Sequence, residues 1–300
     1  MLPKLIVVVG PTASGKSALA IKISKKFSGE IISADSRQIY KRMDIGTAKP
    51  SKKEVAAVPH HLINIKNPDE NYTVAEYKKD ALKAIKTVTK KGCLPILVGG
   101  TGLYVKVVID NLKIPVVKPD FKLRHKLEKE IEKYGLNFVF KKLIKIDPEA
   151  AYIVDPNNPR RVIRALEIAL KTKKLFSIQR RAGKPLFDFL EIGMSMPRKE
   201  LNNHINKRVD LMIKNGLIEE VKNLVKKYGA NHQSLDAIGY REIIEYLNKK
   251  ISLKTAIGLI KNKTWRYAKR QVTWFKKDKR IHWIQNQKKV EKLVINFLSA

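Results

Sequence analysis

One cysteine, Cys93, stands in a chain of 300 residues. A lone thiol excludes an internal disulfide framework and any cysteine-built zinc site, and it fits the reducing cytoplasm. Cys93 itself reads as a small buried hydrophobe ahead of a strand. Acidic residues are scarce, 28 in all, and aromatics make up only 7%. No apolar run approaches the roughly 18 residues of a membrane span, so no membrane association is expected. The opening MLPKLIVVVG resembles a short signal h-region. It runs directly into a glycine-rich motif with no small-residue cleavage site, so it reads as a buried strand.

Basic residues are abundant. Lys and Arg total 62, giving a net charge of +34, a field that recruits polyanions, nucleic acid above all. Of these, 48 are lysines, and part of the excess is lysine-rich composition on solvated faces. The 14 arginines are the better guide, because a guanidinium fork grips a phosphate in two places at once. The apolar fraction of 44% permits a sizeable core, and the length suits two domains or one domain with a large insertion.

Leu5-Ile6-Val7-Val8-Val9 is a β-branched run suited to a central parallel strand buried on both faces. A helix follows to about Phe27, then a short strand over 30–34 and a polar loop from Asp35 to about Pro59. A helix over 73–91 begins at Thr73, with Glu76 completing a capping box. Leu94–Val98 forms the third strand. This alternation predicts an α/β fold: a P-loop NTPase-like parallel sheet flanked by helices. Residues 114–188 change character and read as an inserted small all-helical domain, with helices over 121–134, 138–146, 148–153 and 160–170. The catalytic core then comprises 1–113 and 189–300. It includes a returning strand at 189–196, helices over 199–228, 236–248, 252–260 and 262–277, and a last strand at 281–284. Residues 286–300 are a polar stretch and a short apolar tail with no assignable element.

Gly10-Pro11-Thr12-Ala13-Ser14-Gly15-Lys16-Ser17 fits G-x-x-x-x-G-K-[ST] between a strand and a helix. Its glycines let backbone N–H groups converge on phosphate oxygens at the positive end of the helix. Lys16 adds a point charge, and the Ser17 hydroxyl is a ligand for Mg²⁺. The motif specifies a diphosphate or triphosphate and leaves the reaction open. Asp35, at the carboxyl end of the second strand, lies where ligands bind in open α/β sheets. It can hold Mg²⁺, take a proton from an acceptor, or simply cap a loop. Gln38 can read a base edge by paired hydrogen bonds. Gly99-Gly100-Thr101-Gly102 ends the third strand at the same edge, its glycines permitting close approach of a ligand or a tight turn. Arg160, Arg161 and Arg164 share a helix whose other reading is a solvated face. Arg266–Phe275 interleaves cations with aromatics and amides in a manner suited to RNA, or else packs its aromatics in the core.

Taken together, GPTASGKS (10–17), DSRQIY (35–40), MDIGTAKP (43–50), LVGGTGLY (97–104), NNPRRVIRALE (157–167), NKRVDLMIKNGLIEEV (206–221), AIGYRE (237–242) and YAKRQVTWF (267–275) resemble the tRNA dimethylallyltransferases, the bacterial tRNA isopentenyltransferase family. The resemblance implies transfer of a dimethylallyl group from dimethylallyl diphosphate, with Mg²⁺, to N6 of the adenosine 3′ of the anticodon. It also implies Asp35 as general base, with Lys16, Ser17 and Arg208 as catalytic partners on the leaving group and Gly10–Ser17 cradling the diphosphate. The anticodon stem-loop would contact Asp35, Ser36, Arg37 and Gln38, Thr101, Arg124, and the run Arg160, Arg161, Val162, Ile163 and Arg164. A cytoplasmic monomer is expected. Two positions depart from the family pattern: His204 stands where an arginine is usual, and Trp265 displaces the arginine of T-R-x-Y to Arg266. The alternatives are a small-molecule kinase, an adenylate isopentenyltransferase acting on free nucleotides, and an RNA-binding protein with a vestigial phosphate loop.

Overall fold

The computed structural model describes residues 2–115, 117–285 and 288–300. The first half runs β1 (Lys4–Val9), α1 (Lys16–Lys26), β2 (Gly29–Ser33), α2 (Lys52–Ala57), β3 (His60–His61), α3 (Val74–Lys90), β4 (Leu94–Gly99) and α4 (Gly102–Ile109). Four helices follow: α5 (Phe121–Tyr134), α6 (Leu136–Ile146), α7 (Ala150–Ile153) and α8 (Pro159–Thr172). The chain returns through β5 (Asp188–Met194), α9 (Arg198–Lys214), α10 (Leu217–Tyr228), α11 (Tyr240–Leu247), α12 (Leu253–Phe275), β6 (His282–Ile284) and α13 (Lys288–Ser299). Two compact units result, Met1–Ile109 with Leu186–Ala300, and Asp110–Pro185.

The sheet has six strands in the order β3-β2-β4-β1-β5-β6, and every pairing is parallel. β1 is central, and Leu5, Ile6, Val7, Val8 and Val9 are each fully buried, as its β-branched run requires. Ile6 and Val8, with Ile96, Val98 and Ile192, face Leu19 and Ile23 of α1 and Val290 and Val294 of α13. The chain therefore emerges from β1, β2 and β4 at one carboxyl edge, with glycine-bearing turns after β1 and β4.

A second cluster fixes the polar loop after β2. Ile39, Tyr40 and Met43 are buried among Val209 and Met212 of α9, Leu217 and Val221 of α10, and Tyr240 and Ile243 of α11. The Glu220 carboxylate reinforces this anchor, accepting hydrogen bonds from the amides of Asp44, Ile45 and Gly46 at 2.9, 2.7 and 3.1 Å. The Tyr240 hydroxyl donates to it as well, at 2.7 Å.

The second unit packs α5, α6 and α8 around Leu127, Val139, Leu143, Val162 and Leu166. Its two ends are zipped together. The Gly183 amide donates to Asp110 O at 3.2 Å, Lys113 N to Arg181 O at 3.2 Å, and Asn111 Nδ2 to Lys184 O at 3.0 Å.

Several sequence expectations are corrected. The single helix over 199–228 is two, broken at Gly216, whose φ of 96° only glycine adopts cheaply. The two helices over 252–277 are one continuous α12 of 23 residues, capped at its start by Ser252, whose side chain accepts the Thr255 amide. The tail beyond 286 carries α13, because Val290 and Val294 recur at helical spacing and cover the sheet. The loop after Asp35 contains α2, started by a Ser51–Glu54 capping box. Cys93 is half-buried rather than buried. The Thr73–Glu76 box at the start of α3 forms as expected, with reciprocal bonds of 3.2 and 2.8 Å.

Gly99 shows how closely β4 approaches the chain leaving β2. A Cβ there would lie 2.1 Å from the Ala34 carbonyl oxygen, which is backbone and has nowhere to go. Gly99→Ala is expected to destabilise the protein by about 3 kcal/mol, the upper range for overpacking. Urea unfolding checks this, and a variant of unchanged midpoint would contradict so tight an approach.

Candidate active site

The loop after β1 carries Gly10–Ser17 at the carboxyl edge, between β4 and β5. Gly10 has φ 150°, and a Cβ there would meet Met194 O and Ser14 Oγ at 3.0 Å. Gly15 adopts φ 85° at the head of α1, where no atom crowds it, so its requirement is conformational. Ala13 is also left-handed, with φ 64°. Its methyl packs on the small cluster of Leu201, Ile205 and Ala268 between α9 and α12. The Ser14 hydroxyl is buried without a hydrogen-bond partner, and Ser17, exposed at the start of α1, makes no side-chain hydrogen bond among the described residues. Such a loop has donors to offer an anion.

Lys16 Nζ donates to Pro11 O at 3.2 Å. Its pKa is lowered to about 8, chiefly by burial and then by the positive charge of Arg208, with Asp35 pulling the other way. Arg208, half-buried on α9, is likewise lowered by burial and supported by Asp35. Two desolvated cations and one carboxylate thus share a small region where an anionic ligand has little solvent to compete with.

Asp35 is held by backbone, through an Asx turn. Its Oδ1 accepts from Arg37 N at 2.8 Å and Gln38 N at 3.3 Å. Among the described residues it forms no ion pair with Lys16 or Arg208 and no bond through Oδ2. The neighbouring Ser36 amide donates to Thr101 Oγ1 at 3.1 Å, joining the β2 and β4 turns. Arg37 turns inward: its Nη1 donates to the carbonyls of Gln233 and Ser234 at 2.8 and 3.2 Å. Gln38 is also engaged, with Nε2 on Thr47 O and Ala48 O and Oε1 on the Ser33 hydroxyl. In this structure both side chains therefore shape the Asp35 loop, and neither is turned toward an outside base.

The glycines of the β4 turn are filled from within, which favours the tight turn over the ligand approach, the two readings their sequence left open. A Cβ on Gly100 would lie 2.2 Å from Gln271 Nε2, and one on Gly102 would lie 2.1 Å from Trp274 Nε1. Both partners come from α12, and Tyr267 lies on the same face of that helix. Gln271 and Phe275 are buried, whereas Trp274 is 36% exposed. The segment 266–275 was expected to offer its aromatics to RNA or to the core. It braces the two turns with one face and presents Arg266, Lys269 and Arg270 to solvent on the other. Gln271 was missed as a braced contact, although its i+4 spacing from Tyr267 was a usable signal.

His204, in place of the usual arginine, lies 3.4 Å through Nδ1 from Ala13 O. Trp265, the second departure, stacks under Arg198, whose guanidinium sits 5.3 Å from its ring centre.

In the second unit the residues expected to contact RNA separate into three groups. Arg160 and Arg161 are exposed on the first turn of α8, without ion pairs among the described residues. Val162 and Ile163 are buried in the unit's core, so their side chains cannot meet RNA, because the helix turns them inward. Arg124 and Arg164 both grip fully buried Glu167. Arg124 Nε and Nη2 donate to its oxygens at 2.9 and 2.8 Å, and Arg164 Nη1 at 2.5 Å. The Asp120 amide adds a bond of 2.7 Å. Burial opposes the charge on Glu167, but bonds from Arg124, Asp120 N and Arg164 outweigh it and hold the pKa at about 2.

A six-stranded parallel sheet with this loop after its central strand defines a P-loop α/β protein. The protein-family model for IPP transferase matches residues 38–278. The tRNA dimethylallyltransferase of Acetivibrio thermocellus is 47% identical over 287 residues, covering 94% of this chain and 92% of that protein. That of Carboxydothermus hydrogenoformans is 48% identical over 291 residues, covering 96% and 94%. The crystal structure of the tRNA isopentenylpyrophosphate transferase from Bacillus halodurans is similar at TM-score 0.73 and 42% identity, covering 99% of this chain and 95% of that one. A eukaryotic dimethylallyltransferase acting on tRNA is similar at TM-score 0.75 and 31% identity, over 91% of this chain and 70% of that one. The chain belongs to the IPP transferase family.

The Glu167 cluster yields a pH test. The folded pKa near 2 lies below the ordinary 4.5, so the stabilisation is complete above about pH 4.5 and is lost as pH falls toward 2. A shift of that size corresponds to about 3 kcal/mol. Glu167→Gln, which leaves two arginines without their counter-charge, is expected to cost about that much at pH 7. In urea unfolding its deficit should shrink by about half at pH 3, and equal stability at pH 7 would refute the role.

Proposed function

We propose that the protein transfers a dimethylallyl group from dimethylallyl diphosphate to N6 of the adenosine 3′ of the anticodon in tRNA. One observation supports the reading most: Lys16 and Arg208, both partly buried, stand within electrostatic reach of an Asp35 carboxylate that backbone amides, not cations, hold in place. An allylic carbon–oxygen bond breaks when the departing diphosphate is stabilised, and the Gly10–Ser17 loop, Lys16 and Arg208 supply that stabilisation. The N6 amine of adenine is a weak nucleophile, since its lone pair is delocalised into the ring. It must lose a proton as it bonds to carbon, and Asp35 is the acceptor for that proton.

Magnesium fits this loop. The Ser17 hydroxyl is exposed and uncommitted, and among the described residues no cluster of three His, Cys, Asp or Glu stands ready to hold a metal. Ser17, with substrate oxygens and water, would hold the ion, as is usual for Mg²⁺ at phosphates. When bound, it supplies further neutralisation of the diphosphate.

The tRNA reading rests on the family, on the +34 charge and on exposed arginines. In this reading Arg160 and Arg161, exposed on α8, take backbone phosphates of the anticodon stem-loop, and Thr101, Ser36 and Asp35 border the acceptor base. The target base leaves the loop stack, at about a few kcal/mol, to bring its N6 to the allyl group. No described helix is long and apolar enough to cross a membrane.

Asp35→Asn preserves the oxygen that caps Arg37 and Gln38 while removing the proton acceptor. With labelled dimethylallyl diphosphate, Mg²⁺ and unmodified tRNA, kcat should fall at least about 100-fold, with tRNA affinity kept within a few-fold. Transfer at a near-normal rate would remove Asp35 from the base role. The Lys16 ammonium, charged below its pKa of about 8, binds diphosphate only in that form. The kcat/KM for dimethylallyl diphosphate should therefore drop as pH rises through 8. Lys16→Arg should displace that drop beyond pH 10, and a profile flat from pH 7 to 9.5 would contradict the contact.

A further inference from the structure

Helix α12 carries Tyr267, Gln271 and Trp274 on one face, and that face meets both glycine turns of the sheet edge. Gln271 is the member that touches two of them at once. Its Oε1 accepts from Thr12 N, in the diphosphate loop, at 2.9 Å. Its Nε2 donates to Gly100 O, in the turn after β4, at 2.8 Å. The amide orientation is fixed by its partners, because an N–H can meet only the oxygen and a carbonyl only the nitrogen. The side chain is 5% exposed and enters a notch that only a glycine at 100 leaves open.

From Gly100 the linkage continues without a gap. The next residue, Thr101, donates its amide to Ala34 O at 3.2 Å and accepts the Ser36 amide at 3.1 Å. Ala34 and Ser36 flank Asp35 on either side. A single buried side chain therefore ties the loop proposed to hold the leaving group to the turn after β4, and Thr101 carries the tie on to the turn of Asp35. The loops at either end of the tie follow different strands, β1 and β2, which are not neighbours in the sheet. β4 pairs with both and spaces the strands, whereas the loops beyond the strand ends, which carry Thr12 and Asp35, have no ladder of their own.

We infer that Gln271 is a positioning residue for the transfer reaction, fixing the separation between the diphosphate loop and the Asp35 carboxylate. The inference rests on the prenyl-transfer reading above. Its chemical consequence is specific. When the allylic carbon–oxygen bond breaks, its electron pair leaves with the diphosphate, and the electron-poor carbon bonds to whichever nucleophile is in line. With the two halves in register, that nucleophile is N6, and its proton passes to Asp35. Out of register, a water oxygen bonds instead, releases its proton to solvent, and yields dimethylallyl alcohol with tRNA unchanged.

Two variants separate the parts of the contact. Gln271→Met fills the notch but makes neither hydrogen bond. Gln271→Glu retains an acceptor for Thr12 N and loses the donor to Gly100 O. Each is assayed beside wild type in single turnover, with labelled dimethylallyl diphosphate, Mg²⁺ and excess unmodified tRNA, counting label on tRNA and in alcohol. The expected result is a transfer rate at least tenfold lower, a tRNA Kd within threefold of wild type, and an alcohol-to-tRNA ratio at least tenfold higher. A rate and ratio within threefold of wild type overturn the inference. So does a tRNA Kd raised tenfold with the saturated rate unchanged, which marks Gln271 as an RNA contact. Where the Met variant lacks a cooperative thermal transition, the Glu variant decides. A wild-type enzyme that leaves tRNA unalkylated refutes the prenyl-transfer reading itself, independently of either variant.

Discussion

A carboxylate and a pair of cations stand within electrostatic reach of one another here without cancelling each other. That constraint organises the sheet edge of this protein. Asp35 is secured by the amides of Arg37 and Gln38, so its position does not depend on Lys16 or Arg208. Burial lowers the pKa of both cations, and the charge of Arg208 adds to the effect on Lys16. Separate anchoring lets opposite charges stay close and unpaired.

Much of the surrounding architecture serves that separation. The loop after β2 is pinned by Glu220 and by the buried side chains of Ile39, Tyr40 and Met43. The loop after β1 is pressed by Ala13 against α9 and α12. The turn after β4 is packed by Gln271 and Trp274, so its glycines are there for chain-to-chain contact. Arginines that look like ligand groups in a list of residues prove to be divided. Some, such as Arg37, tie loops to carbonyls, while Arg160 and Arg161 stand in solvent without ion pairs among the described residues.

What could be read from the sequence follows from how local each requirement is. The Gly10–Ser17 loop and β1 are legible because their demands fall on consecutive residues: glycines where φ is positive, and β-branched residues where both faces are covered. The parallel sheet follows from the alternation of such segments. Arg124 and Arg164 were read as RNA contacts because charge alone does not say whether a partner is near. Glu167, three residues after Arg164 and on an otherwise apolar helix face, was the available sign of a buried counter-charge. Val162 and Ile163 were carried along with the arginines beside them, although as apolar residues spaced i+4 and i+3 from Leu166 they belong to the buried stripe of α8. The role of Gln271 depends on contacts 259 and 171 residues distant in the chain, which no local pattern encodes.

The helical unit enters and leaves through a narrow neck, where Asp110, Asn111 and Lys113 are laced to the chain between Arg181 and Lys184. Because the two crossing points sit side by side, removing everything between them would leave a gap that a tight turn can bridge, with little loop-closure entropy to overcome. The unit is in that sense a cassette. Its length and sequence can drift while the six strands of the sheet keep their order.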